Sequence, residues 1–435
     1  MGADHLAVAD HPDRWGLSIE NGRLHAEGID LTAIADAVGT PTYVYGSAYI
    51  ESQFRKLETS VRQRPTLICY AAKANSSQAI LELLRRLGAG ADIVSGGELA
   101  RVLAAGIDPS KIIFSGVGKT DDEIDAAMKA GIRSINVEST EELERISARA
   151  SARGATAPVS LRINPDVDPE THPYLATGMQ EAKFGIPMDV ALGTARRAAS
   201  LPGIRLVGLA SHIGSQILQA RPYLDALDRL RTLITTLASE GVKLQQLDLG
   251  GGHGIAYKPD DPDLDVEAWG TALANATKDL DLDLVLEPGR YLVGNAGVLL
   301  TRVLGTKAGE KKQFVIVDAA MNDLIRPALY DAYHMVVPVE LEAARTADVG
   351  TVDVVGPVCE SGDFIALGRE MPTVKTGDLL AVLSAGAYGA VMSGTYNTRP
   401  DPPEVLVRGD QFAVTRPRRT VAELIAAERL PPWMA

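Results

Sequence analysis

A lysine stands where a short apolar run gives out. Thr66-Leu67-Ile68-Cys69-Tyr70 reads as a buried strand, Ala71-Ala72-Lys73-Ala74-Asn75 follows, and a helical pattern opens at Ser76. An amine at such a junction can be desolvated enough to lose its proton, and a neutral amine forms a Schiff base with a carbonyl. The same placement also suits a lysine snorkelling from a strand end, so Lys73 must be read with its companions.

Five further clusters carry chemistry-bearing residues. Ser211-His212-Ile213-Gly214-Ser215-Gln216 sets an imidazole and a hydroxyl at a strand end, where a structural histidine is the plainer reading. Asp248-Leu249-Gly250-Gly251-Gly252-His253-Gly254 is a glycine-rich loop whose backbone N–H groups can converge on a phosphate; a plain turn is the alternative. A dinucleotide-binding loop fits poorly, because no long helix opens directly behind the glycines. Glu287-Pro288-Gly289-Arg290 pairs a carboxylate able to hold a heterocyclic nitrogen protonated with a guanidinium able to clamp a carboxylate; a structural ion pair is the alternative. Gly356-Pro357-Val358-Cys359-Glu360-Ser361-Gly362-Asp363 puts a thiol beside a carboxylate, and Gly386-Ala387-Tyr388-Gly389 a phenol beside flexible backbone. Together these are the parts of a pyridoxal phosphate site: an amine for the aldehyde, a glycine loop and hydroxyls for the phosphate, a carboxylate for the ring nitrogen and a histidine to face the ring.

The elements that must position them alternate in type. Strand-like segments at 67–73, 89–95, 111–115, 133–137, 159–164, 205–212, 245–250 and 282–287 are separated by helical patterns at 77–87, 98–105, 121–130, 140–153, 222–239 and 266–280. Thr120 before Asp121-Asp122-Glu123 marks a helix start, and Gly131 and Gly241 mark stops. Eight strands alternating with helices have the rhythm of a (β/α)8 TIM-type barrel, with a doubly wound open sheet as the rival. The barrel is favoured because Lys73, Ser95, Asn164, His212, Gly250 and Glu287 all fall at C-terminal ends of different strands, which a barrel gathers at one mouth. Beyond Arg290, strand-like pieces at 299–303, 313–318, 351–356, 378–383 and 404–407 indicate a second, all-β domain of sandwich or barrel type. Residues 17–19 and 24–26 add to it, and 420–429 reads as a short terminal helix. The expected division is a barrel at 43–298 and a β-rich domain from 1–42 and 299–435.

The 435 residues carry a net charge of −13, which argues against nucleic acid or an anionic membrane as the main partner. Two cysteines, Cys69 and Cys359, make no disulfide framework, and no apolar leader or bilayer-length run is visible. A cytoplasmic enzyme or binding protein is expected, with no metal.

In their order, residues 70–75, 212–216, 250–252, 287–290, 359–363 and 386–388 resemble the barrel-type pyridoxal phosphate decarboxylases of basic amino acids. His172-Pro173-Tyr174-Leu175-Ala176-Thr177-Gly178 with Lys183-Phe184-Gly185, residues 317–327 with Tyr330, and the Cys359-Glu360-Ser361 form of the cysteine loop narrow the resemblance to diaminopimelate decarboxylases. It covers nearly the whole chain. The resemblance implies Lys73 as the aldimine lysine, His212 stacked on the ring and Glu287 on the pyridine nitrogen. Ser215, Gly250, Gly251, Gly252, Pro288, Gly289, Arg290 and Tyr388 would bind the cofactor. Arg290, Arg326, Tyr330, Glu360 and Tyr388 would bind substrate, and Cys359 would donate the proton. It further implies a homodimer with shared sites, Cys359 and Glu360 crossing to the partner, and conversion of meso-2,6-diaminopimelate to L-lysine and CO2. Carboxynorspermidine or a D-configured diamino acid is the runner-up substrate, and a noncatalytic cofactor carrier the rival from another class. His253 and Ala72 depart from the family pattern, with little effect expected on a backbone cradle.

Overall fold

The computed structural model describes residues 4–168 and 183–434, so residues 172–178 lie outside the described residues. The chain groups into two compact units, a barrel unit (Glu51–Ile255 with Pro262–Tyr291) and a β-rich unit (4–50, Ala256–Asp261 and 292–434).

The chain begins in the β-rich unit with a small antiparallel sheet of β1 (Leu17–Glu20), β2 (Arg23–Ala26) and β3 (Ile29–Asp30), followed by β4 (Thr42–Gly46). It then supplies the barrel: β5 (Thr66–Ala71), β6 (Gly90–Ile93), β7 (Ile112–Phe114), β8 (Ser134–Val137), β9 (Ala157–Asn164), β10 (Ile186–Pro187), β11 (Ile204–Ala210), β12 (Gln246–Asp248) and β13 (Asp283–Leu286). All pairings here are parallel. β8 pairs with β9, Ile135 opposite Val159, and β13 pairs with β5, Leu284 opposite Thr66. The sheet therefore closes on itself with eight strands, β10 being a short addition beside β9, and the open doubly wound sheet is excluded. Strands covered on both faces need no alternation: Ile112, Ile113 and Phe114 are all fully buried.

Several crossover helices start where their first-turn N–H groups find a side chain. Ser95 caps Gly96–Ala104, Ser139 caps Thr140–Ala152 and Asp265 caps Val266–Thr277. Thr120 and Glu123 form a reciprocal capping box, and the same helix stops at left-handed Gly131. The helix Met188–Ser200 has no counterpart in the sequence reading.

After the barrel the chain forms β14 (Gly297–Ala308), β15 (Gln313–Val317), β16 (Val336–Pro338), β17 (Val349–Val355), β18 (Phe364–Pro372), β19 (Leu379–Val382), β20 (Glu404–Arg408) and β21 (Gln411–Arg416). With β4 they make one mixed sheet, ordered β18-β17-β15-β14-β4-β20-β21, with β19 also on β14 and β16 on β19. Leu17, Leu24, Val44, Leu300, Val337 and Val405 share its core, which groups the N-terminal pieces with this unit. Short helices such as Leu31–Val38 and Arg326–Tyr330 make it mostly sheet rather than purely β. Among the described residues no helix is long and apolar enough to cross a membrane.

Candidate active site

The C-terminal ends of the barrel strands surround a cavity of about 380 Å³, lined by Lys73, Asn136, Arg162, Ser211, His212, Asp248 and Glu287 among others. That volume suits a small organic cofactor. Lys73 follows β5 directly, and its Nζ lies 2.7 Å from Asp92 Oδ2. Asp92 is fully buried on β6, whereas the lysine side chain remains 35% exposed. Desolvation alone, the route anticipated from sequence, does not describe this amine: a buried carboxylate receives it and aims it.

Glu287 follows β13. Burial, then the charges of Asp248 and Asp92, push its carboxyl well above the usual range. It accepts from Ser115 Oγ at 3.2 Å. Its neighbour Pro288 accepts from the Ala71 N–H at 3.0 Å, which ties this turn to the lysine strand. His212 follows β11, and its Nδ1 accepts from the Gly251 N–H at 3.1 Å, so in the neutral ring Nε2 carries the proton. Burial, then Arg162 and Lys73, hold its pKa well below 6.5 and keep it neutral.

The glycine loop is glycine for reasons of packing as well as binding. A Cβ on Gly251 would sit 2.0 Å from the Glu287 carbonyl oxygen, and Gly250 and Gly252 both have positive φ. Two of its amides are already taken: Gly250 N–H donates to Asp248 Oδ1 at 2.9 Å and Gly251 N–H to His212. Among the described residues the Gly252 amide has no protein acceptor, which leaves it free to donate to a ligand. Ser215 Oγ accepts from Arg290 Nη2 at 3.0 Å, joining the hydroxyl and guanidinium expected on the phosphate side. Among the described residues, Ser211 Oγ, Asp92 Oδ1 and Asn136 Oδ1, on residues around the cavity, are buried without hydrogen-bond partners. Orphaned polar atoms, a raised carboxyl and a crowded glycine loop are what a phosphorylated heterocycle would satisfy, so the residues fit pyridoxal phosphate.

The sequence reading passed over Asp92, Ser115, Asn136, Arg162 and Asp248. Arg162, on β9, donates to Glu138 Oε1 at 2.7 Å and lies over the Phe184 ring. Glu138 also accepts from the N–H groups of Gly116 and Gly185. The available signal was polarity inside buried strands: a carboxylate in Gly-Ala-Asp-Ile, or an asparagine in Ser-Ile-Asn-Val, demands a partner.

The remaining candidates lie in the β-rich unit. Arg326 is buried over the Tyr257 ring, and its Nη1 is 2.9 Å from His334 Nε2. Because His334 Nδ1 faces the Leu383 carbonyl at 2.8 Å, Nδ1 carries the proton and Nε2 accepts from the guanidinium. Tyr330 ends the same short helix, half-buried. Cys359 and Glu360 are exposed. Their loop is held by Asp363, which accepts from the N–H groups of Met321 and Val358, and by Asn397, which accepts from the Cys359 N–H. Tyr388 is half-buried with φ +57°, and only a well-determined loop holds a bulky residue there.

His253 is buried among Tyr223, Trp269 and Tyr291, and among the described residues neither ring nitrogen has a hydrogen-bond partner. Burial lowers its pKa from 6.5 to about 3. Between those values the unfolded chain binds more protons, so this residue makes stability fall as pH falls through that window. His253→Phe keeps the aromatic packing and removes the orphan, and we expect it to raise the melting temperature by about 2–4 °C at pH 7. In acid melts its stability should decline less steeply, by about 1.4 kcal/mol per pH unit. An unchanged acid limb would show that His253 does not titrate on unfolding.

Comparison with known proteins gives consistent matches. Residues 47–294 match the family described as pyridoxal-dependent decarboxylase, pyridoxal binding domain. The chain is 52% identical to the diaminopimelate decarboxylase of Pseudomonas aeruginosa, over 95% of this chain and 99% of that one. It is 48% identical to the enzyme of the same name from Vibrio cholerae, over 95% and 98%. Among solved structures, diaminopimelate decarboxylase from Helicobacter pylori complexed with L-lysine is 39% identical and superposes with a TM-score of 0.87, covering 92% of this chain and 99% of that one.

Proposed function

Since this chain belongs to the diaminopimelate decarboxylases, within the pyridoxal-dependent decarboxylase family, we propose that it decarboxylates the D-centre of meso-2,6-diaminopimelate to L-lysine and CO2, the last step of lysine biosynthesis. The observation that carries this is the cavity itself, where the Lys73 amine, held by Asp92, shares a wall with the raised Glu287 carboxyl. Its cofactor is pyridoxal 5′-phosphate, which when bound supplies a sink for the electron pair released as CO2 departs.

In this reading Lys73 would hold the cofactor through its primary amine. Glu287 would keep a proton at the ring nitrogen, without which the sink is poorer. His212 would face the ring as a neutral imidazole, adding no positive charge beside it. Gly250, Gly251, Gly252, Ser215, Pro288, Gly289, Arg290 and Tyr388 cradle the phosphate. Arg290, Arg326, Tyr330 and Tyr388 hold the distal carboxylate, Glu360 reads the distal ammonium, and Cys359 delivers a proton to the carbon that lost CO2.

The exposure of Cys359 and Glu360 supports a homodimer in which each chain completes its partner's site. We place the protein in the cytoplasm, consistent with two unpaired cysteines. Incubating the cofactor-loaded protein with the meso, LL and DD isomers and with ornithine tests the assignment. L-lysine from the meso isomer alone is expected; product from ornithine and none from the meso isomer would overturn it.

A further inference from the structure

The floor of the cavity holds more acid than the proposed chemistry uses. Asp92 on β6, Asp248 at the end of β12 and Glu287 after β13 are 0%, 1% and 6% exposed. The cation bonded to this group is Lys73, and it sits on Asp92. Among the described residues Asp248 and Glu287 have no bonded cation. Both reach the same amide: Asn136 Nδ2 lies 3.0 Å from Asp248 Oδ2 and 3.5 Å from Glu287 Oε1. Two ionised carboxylates meeting at one amide, out of water, repel strongly, and a single proton between them removes the repulsion.

We propose that Asp248 and Glu287 form one proton-sharing pair, in which Asp248 is a positioning residue that keeps on the pair the proton required at the cofactor's ring nitrogen. This rests on the pyridoxal phosphate reading of the site. When the cofactor binds, the pair releases its proton to the ring nitrogen and both carboxylates become ionised beside the resulting cation. The groups facing the pair act in both directions. Asp92 adds negative charge from β6 and favours a stored proton, while the Lys73 charge, and the Gly250 N–H and Asn136 donors on Asp248, favour the ionised forms; Lys73 is bonded to Asp92. Asn136 on β8 and Ser115 after β7 are neutral. The Cys69 thiol on β5 is pushed up by burial and by these same acids, with Arg133 opposing. Burial raises both members, Asp248 to about 6 and Glu287 well above its usual value.

Asp248→Asn separates proton sharing from scaffolding. The amide keeps an oxygen for the Gly250 N–H, and the Asn136 carbonyl, which has no partner, can turn to accept the new N–H. Calorimetric titration of pyridoxal 5′-phosphate into the cofactor-stripped full chain, at pH 7 in two buffers of different ionisation enthalpy, counts the protons taken up. Phosphate and lysine contributions cancel between variants. Asp248→Asn should take up about one proton more than the wild type; equal counts overturn the proposal. Infrared titration of the cofactor-free chain gives a second measure. Beside the contribution of the buried Asp323, whose carboxyl is raised to about 7, a protonated-carboxyl component should be present at pH 7 that is absent from the Glu287→Gln difference spectrum and shifted down by about one pH unit or more in Asp248→Asn. An unshifted midpoint overturns the pair. Should the wild type not bind the cofactor at all, the functional reading falls, and the infrared midpoint still decides the pair.

Discussion

Lys73→Ala is expected to reduce turnover to below about 10⁻³ of wild type, because among the described residues no other primary amine is held on the Asp92 carboxylate. The substitution also strips a fully buried carboxylate of its partner, so part of any loss could come from structure rather than chemistry. Lys73→Arg divides the two effects. A guanidinium restores the charge opposite Asp92 but supplies no primary amine, so this variant should melt close to wild type and remain as inactive as the alanine variant. Activity retained in Lys73→Arg would mean that the residue serves only as an ion-pair partner.

Cys359→Ala should keep the fold and the bound cofactor while turnover drops about 10²–10⁴-fold, the range for loss of a general acid. The thiol is exposed, and its loop is anchored through the Asp363 carboxylate and the Asn397 amide rather than through sulfur. Wild-type turnover in this variant would remove the cysteine from the reaction. The two substitutions together test the shared site. If Lys73 and Cys359 act from different chains, mixing and reassociating the inactive variants should restore roughly a quarter of wild-type activity, since half the dimers are mixed and each holds one intact site. No recovery despite exchange of subunits would mean that each chain completes its own site.

Much of this architecture was legible before the structure. Parallel strands buried on both faces are short apolar runs, and the eight inferred strands fall within about two residues of those observed. The pieces that escaped notice lack such contrast. Met188–Ser200 buries a stripe of Ala191, Ala195 and Ala198, too small to stand out from its surroundings. In β18 the segment Leu367-Gly368-Arg369-Glu370 interrupts the apolar pattern, because much of that strand faces solvent. At the site, residues at strand ends and in glycine turns announced themselves, whereas Asp92 and Asn136 lie inside strands and looked like interruptions of a core, and Asp248 was read only as the start of the glycine loop. Closure of the sheet makes neighbours of residues far apart in sequence, such as Asn136 and Asp248 on β8 and β12. No linear spacing encodes that meeting.

The central claim is that a carboxylate leaves one end of a symmetric-looking diamino diacid and a proton takes its place, with the other end untouched. The most direct measurement is turnover of meso-2,6-diaminopimelate in heavy water, with the product examined by NMR and chiral chromatography. The expected product is L-lysine with a single deuterium on the carbon bearing the distal amine, none at the α-carbon, and one CO2 per lysine. Deuterium exchange into unreacted substrate without CO2 release, or label at the α-carbon of lysine, would contradict it.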